Sequence, residues 1–177
     1  MAKVIVREAT GEQEIEVVRS LMRAYGQYLA SNPSGAANIC LENYERELAN
    51  LPGGYGPPGG TLLLAWLDGE AAGCVALRSL RPSGTAGEVA NRMAEKACEL
   101  KRLWVDGKFR GHGVGKRLTE AALQWSARAG YDAIYLDTVP AAMPEANALY
   151  AALGFKSVER YNENRVADVV FFRRSLL

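Results

Sequence analysis

Arg110-Gly111-His112-Gly113-Val114-Gly115-Lys116 follows the apolar run Leu103-Trp104-Val105 and opens an amphipathic run from Leu118 to Ala129. Strand, glycine-rich turn and helix in that order make an anion cradle. Glycine lets the backbone approach an anion and take positive φ. The free N–H groups and positive dipole end of the helix then favour negative charge. Arg110 and Lys116 add two cations at the edges. Two phosphate loops fail on residues with physical jobs. The dinucleotide fingerprint G-x-G-x-x-G puts its third glycine on Lys116. The Walker A loop needs a hydroxyl where Arg117 stands and a glycine where Arg110 stands. What remains is R-x-x-G-x-G, read as Arg110, Gly113 and Gly115, or an ordinary strand-to-helix turn rich in glycine.

Working outward, residues 3–8 read as a first strand, and Thr10 as a helix cap with Gln13 closing a capping box. Ile15, Val18, Leu21, Met22, Tyr25 and Leu29 recur at helical spacing. A shorter helix covers 41–48. Residues 51–60, with their Pro and Gly, form a loop. Strands follow at 61–67 and 72–79 around the Asp68-Gly69 hairpin turn, then at 98–105 before the glycine loop and at 133–138 after the helix. Pro144 starts another helix that runs to Leu153, and Gly154 caps it. Strands at 155–161 and 166–173 close the chain around Asn162-Glu163-Asn164. Residues 81–96 are polar and small, with a turn at Arg81-Pro82-Ser83-Gly84 and a helical turn around 89–96. The pattern predicts an α/β (α+β) fold in one domain spanning 1–177. Its mixed, mostly antiparallel sheet has about seven strands, with helices on its faces.

Composition narrows the function. The chain has 177 residues, 49% hydrophobic and 23% charged, with net charge +1. That balance argues against a general nucleic-acid binder, and no apolar run reaches the ~20 residues of a membrane span. Cys40, Cys74 and Cys98 show neither zinc spacing nor a disulfide framework. They read as free thiols in a reducing cytoplasm. His112 is the one histidine; no metal site or histidine triad is expected, and its side chain is incidental to the loop's backbone work.

A second element joins the glycine loop. Asn147-Ala148-Leu149-Tyr150-Ala151-Ala152-Leu153-Gly154-Phe155, with Lys101-Arg102-Leu103-Trp104-Val105 and Leu136-Asp137-Thr138, resembles the GNAT superfamily of N-acetyltransferases and looks like its bacterial members in particular. The resemblance covers nearly the whole chain, and residues 98–156 carry its specific part. It implies a splayed central parallel strand pair and acetyl-CoA as acyl donor. The backbone of Gly111, His112, Gly113, Val114, Gly115 and Lys116, with Arg110, would hold the pyrophosphate. Leu103, Trp104 and Val105 would flank the pantetheine arm, and Asn147 would bond it from the other side. A homodimer is common in the family.

Acetyl transfer needs an amine without its proton, a polarised carbonyl and a protonated leaving thiolate. Tyr150 matches the family's acid position and shares a helix face with Asn147; otherwise it is an aromatic covering the core. Glu99 is the candidate base, directly or through water; otherwise it pairs with Lys101 or Arg102. By strand alternation Glu99, Lys101, Leu103 and Val105 share one face. The backbone N–H near Val105 is the expected donor to the carbonyl. Cys98 lies near but lacks an activating partner, so direct transfer is expected. The acceptor is an amine-bearing small molecule or peptide, selected by the first two helices and the 51–60 and 81–96 segments. Competing readings are a non-catalytic acyl-CoA-binding module and a protein-modifying enzyme acting on an N-terminus or lysine.

Overall fold

The computed structural model describes residues 3–36, 41–80, 95–164 and 166–177. Cys40, the 81–84 turn and most of the helical turn expected at 89–96 lie outside them. The strands are β1 (Val4–Glu8), β2 (Thr61–Leu67), β3 (Glu70–Ser79), β4 (Ala97–Val105), β5 (Ala133–Thr138), β6 (Lys156–Val158) and β7 (Val170–Ser175). The helices are α1 (Gly11–Ser31), α2 (Leu41–Ala49), α3 (Val114–Arg128) and α4 (Pro144–Ala152). The expected order of elements stands. The closing strands are shorter than expected and the last begins later; Tyr161 and the 162–164 turn leave the ladder and hydrogen-bond to Glu99 of β4 and Asp137 of β5 instead.

The β2–β3 hairpin turns on Asp68 and Gly69, both left-handed at φ 49° and 88°, as a tight turn of this kind requires. The helix start at Thr10 differs from the expected box. Glu14, one residue beyond Gln13, accepts from Thr10 N at 2.8 Å and is ion-paired to Arg7. A charged partner on the neighbouring strand favours Glu14 over the neutral Gln13 for this contact.

Strand order is β1-β2-β3-β4-β5-β7-β6. All neighbours are antiparallel except β4 and β5, which pair only at Ala97–Ala133, Cys98–Ile134 and Glu99–Tyr135. Beyond Glu99 the two strands separate. α3 packs Val114, Leu118 and Ala122 on one face of the sheet, while α1 and α2 pack Val18, Met22, Tyr44 and Leu48 on the other. Hydrophobic burial on both faces therefore leaves the gap between β4 and β5 as the break in the layer.

Within β4 the alternation expected from the sequence fails. Lys101 opposes Ala76 and Trp104 opposes Cys74, so Arg102 and Leu103 together face Val75. This is a β-bulge, and Arg102 takes the left-handed φ of 59° that accommodates it. Cys98, Leu100 and Leu103 pack in the α3-side core, where Val105 also packs, and Trp104 packs on the α1 side. Glu99 and Lys101 therefore lie on the opposite face from Leu103 and Val105.

Candidate active site

Two cavities open where β4 leaves β5. The smaller, about 250 Å³, is lined by Leu103, Trp104 and Val105, the loop residues Arg110, Gly111, Gly113, Val114 and Gly115, and α4 at Ala146 and Leu149. The larger, about 420 Å³, is lined by Tyr25 of α1, Arg78 of β3, Lys101 and Arg102, Asp137, Tyr150, and the 162–164 turn. Leu103, Met143 and Ala146 line both.

The glycine loop has backbone geometry that suits an anion. Gly111 and Gly113 sit at φ 78° and 77°, where a side chain is strained. The first helical bond of α3 runs from Arg117 N to Gly113 O at 3.1 Å, so the N–H groups of Val114, Gly115 and Lys116 have no intrahelical acceptor. Lys116 and Arg117 are exposed beside them and meet Glu120 only at 3.9 Å. A β-carbon on Gly115 would fit at ordinary contact distance, 3.6 Å from Leu149 and Val105, and would take up room on the cavity wall. His112 turns back on its own loop, with Nδ1 3.0 Å from Arg110 O, and lies outside the cavity lining. Arg110 lies over aromatic faces, its guanidinium carbon 5.0 Å from the Trp104 ring centre and 5.4 Å from that of Tyr28. These groups suit a nucleotide pyrophosphate, and the β4 edge left free beyond Glu99 suits the amides of a pantetheine arm.

Tyr150 lines the larger cavity, buried against Phe155 and Phe172. The ring belongs to the core, as one of the two sequence readings has it, and the residue also reaches the gap. Among the described residues nothing hydrogen-bonds its hydroxyl. Burial first, then the charges of Tyr25 and Asp137, push its pKa well above the usual phenol value. The phenol stays protonated, and this setting favours donating a hydrogen bond over giving up the proton. Asn147 lines neither cavity; its Nδ2 donates to Thr138 Oγ1 at 3.1 Å and to Met143 O at 2.9 Å. It ties the start of α4 to the end of β5.

Glu99 is 1% exposed and does not line the cavity. Arg78 donates to its Oε2 from Nε at 2.9 Å and Nη2 at 2.8 Å. Tyr161 donates to Oε1 at 2.9 Å, and Lys101 Nζ lies 3.6 Å away. The pairing alternative for Glu99 thus describes its surroundings, with Arg78 as the unforeseen partner. Asp137 is the acid of this group that faces the cavity. It accepts from Lys101 at 3.0 Å, Asn162 at 3.0 Å and Asn164 at 2.9 Å. Burial opposes its charge, but Lys101 and the two amides outweigh that and hold its pKa below the usual value.

Sequence reasoning missed Arg78, Asp137, Asn162 and Asn164 as site residues. Asn162-Glu163-Asn164 read only as a turn, and Arg78 only as a strand end. The 51–60 loop borders a separate surface hollow with α2 and does not line the larger cavity; α1 does. Cys98 faces α3, its Sγ 3.2 Å from Ser126 Oγ, and burial pushes its pKa up to about 11. Among the described residues no three His, Cys, Asp or Glu side chains gather as a metal site, and no described helix is long and apolar enough to cross a membrane.

A model of the Acetyltransferase (GNAT) family matches residues 22–155. An uncharacterized N-acetyltransferase of Schizosaccharomyces pombe is 34% identical over 162 residues, covering 91% of this chain and 88% of that protein. Human N-acetylaspartate synthetase is 35% identical over 100 residues, covering 56% of this chain but only 29% of that protein. Both are eukaryotic, which does not bear out the bacterial leaning read from the motifs. A GNAT acetyltransferase structure from Staphylococcus aureus Mu50 superposes with TM-score 0.69 at 20% identity, covering 99% of this chain and 100% of that one. A Salmonella typhimurium structure described as an acetyltransferase with its cofactor acetyl-CoA superposes at 0.64 and 15% identity, covering 98% and 94%.

Proposed function

This chain belongs to the Acetyltransferase (GNAT) family and is an N-acetyltransferase, and we propose that it moves the acetyl group of acetyl-CoA directly onto the amine of a small molecule. The observation that carries this reading is the pair of cavities meeting at Leu103, Met143 and Ala146. One has the anion cradle and the other is of ordinary small-molecule size. The name of the relative N-acetylaspartate synthetase and the acetyl-CoA of the Salmonella structure support the two substrates.

Bound in the smaller cavity, acetyl-CoA supplies an acetyl group activated as a thioester. Gly111, Gly113 and the N–H groups of Val114 to Lys116 bind its pyrophosphate, with Lys116 and Arg117 adding charge. Backbone N–H groups near Val105 orient the carbonyl. Tyr150 holds its proton and offers a hydrogen bond to the leaving sulfur; the amine attacks as its neutral free base, and the N–H proton that it then loses passes through water to that thiolate, which leaves as the free thiol. Glu99 anchors Arg78 and Lys101 from behind the cavity wall, while Asp137 presents the negative charge that faces the acceptor amine. Buried, protonated Cys98 faces away, so no acyl-enzyme is invoked.

Release of free thiol from acetyl-CoA over a panel of amines tests this. Tyr150→Phe should lower kcat on the order of 100-fold or more and leave acetyl-CoA affinity unchanged. An unaltered kcat removes Tyr150 from the reaction, and the absence of any amine-dependent thiol release across the panel removes the reading.

A further inference from the structure

Acetyl transfer to an amine needs no cations around the acceptor, and a free ammonium would be repelled by them. The larger cavity is nonetheless lined, among the described residues, by three: Arg78, Lys101 and Arg102. The β4 bulge puts Lys101 and Arg102, consecutive in sequence, on the same cavity. Arg102 reaches it from a left-handed backbone at φ 59°, which costs a non-glycine residue conformational energy and is tolerated where the surroundings enforce it. Their surroundings hold both arginines from behind. Glu47 of α2 accepts from Arg102 Nε and Nη2 at 3.0 and 2.6 Å, and Glu99 accepts from the same two nitrogens of Arg78. Neither glutamate lines the cavity. A guanidinium has five N–H donors, and among the described residues no acceptor engages Nη1 of Arg78 or of Arg102. Asp137 and Glu163 supply the acidic part of the lining, and the charge of Asp137 reaches Tyr150.

We propose that the acceptor is a small amine that also carries a carboxylate, an amino acid in its simplest form. Arg78 and Arg102 bind the carboxylate through their uncommitted edges, and Asp137 draws the amino group toward the Tyr150 side of the gap. A zwitterion matches a cavity whose cations sit on β3 and β4 and whose committed acid sits on β5. Glu47 and Glu99 are positioning residues for the two arginines.

The inference rests on the acetyl-transfer reading, and the test separates the two. Thiol release is followed with matched pairs: L-phenylalanine and phenethylamine, L-leucine and isoamylamine, together with L-aspartate and L-glutamate. At least one amino acid should be turned over, and for any pair that reacts kcat/KM should favour the amino acid by about tenfold or more, the discrimination that a charge-assisted hydrogen bond provides. Arg78→Gln should raise KM for that amino acid on the order of 10- to 100-fold, with KM for acetyl-CoA unchanged. Arg78→Lys, which keeps the charge and the contact to Glu99, should recover part of the loss. Calorimetric binding of the amino acid in the presence of CoA should weaken in parallel. Carboxylate-free amines turned over equally well, or an unmoved KM in Arg78→Gln, overturn the acceptor assignment and leave acetyl transfer standing. No thiol release with either series overturns both.

Discussion

Replacing Glu99 with Gln separates a buried anchor from a proton acceptor. Glu99 is 1% exposed and takes Arg78 and Tyr161 at 2.8–2.9 Å. Breaking a buried ion pair by removing one partner costs about 3–5 kcal/mol. The Arg78 side chain is 44% exposed and can turn toward water, which reduces the figure to about 2–3 kcal/mol. A chain of this size loses about 2–4 °C of Tm per kcal/mol. The expected drop is therefore about 4–12 °C, read by calorimetry at neutral pH. Acetylation at 25 °C should show a raised acceptor KM, because Arg78 and Lys101 lose their anchor, and a kcat changed by only about threefold, far short of the loss on removing a general base. An unchanged Tm with a kcat lowered on the order of 100-fold would refute the anchor role and make Glu99 the base.

Gly115→Ala should act oppositely on stability and activity. Its β-carbon meets Leu149 and Val105 at ordinary contact distance, and alanine is the better helix former by about 1 kcal/mol, so Tm should hold or rise. The methyl narrows the smaller cavity, so KM for acetyl-CoA should rise about tenfold or more; an unmoved KM would detach this cavity from the cofactor. Acid should destabilise the fold through Asp137 and Glu47. Burial opposes both charges, but Lys101 and the asparagines, and Arg102 with Tyr55, keep both pKa values lowered. Groups depressed in the folded state stabilise fully above their unfolded values near pH ~4 and lose that contribution as pH falls through the folded values. Urea midpoints should thus be flat from about pH 5 to 7 and fall below about pH 4, less steeply in Asp137→Asn; an equal acid slope in that variant would exclude Asp137. Cys74 and Cys98, pushed up to about 12 and about 11 by burial, should resist alkylation at pH ~8 until the protein unfolds. Rapid labelling of Cys98 in the native protein, seen by peptide mass spectrometry, would contradict its burial.

The elements set by local chemistry were legible in the sequence. Gly111 and Gly113 announced a left-handed turn, Asp68-Gly69 a hairpin, and Pro144 and Gly154 the two ends of α4. Long-range and phase-dependent features were not. The Arg102 bulge breaks a period-two reading without changing residue type, so Glu99 was assigned to the wrong face of β4. Glu99 meets Arg78 and Tyr161, 21 and 62 residues away, and nothing near it in the chain indicates either. Asn147 carries a family motif, and its Nδ2 donates to Thr138 and Met143, contacts that the motif does not announce. Asn162 and Asn164 looked like turn formers, and they are, but the same turn directs their amides onto Asp137.

The division of the cleft also bears on how such a chain can diversify. Among the described residues the two compartments have only Leu103, Met143 and Ala146 in common. Arg78, Asp137 and Asn162 line one and are absent from the other. Substitutions on β3, β5 and the 162–164 turn, where we place the acceptor, can therefore accumulate without disturbing the cradle proposed for the cofactor at the start of α3. Descendants of one ancestor can then drift toward different acceptors while inheriting the same donor chemistry intact.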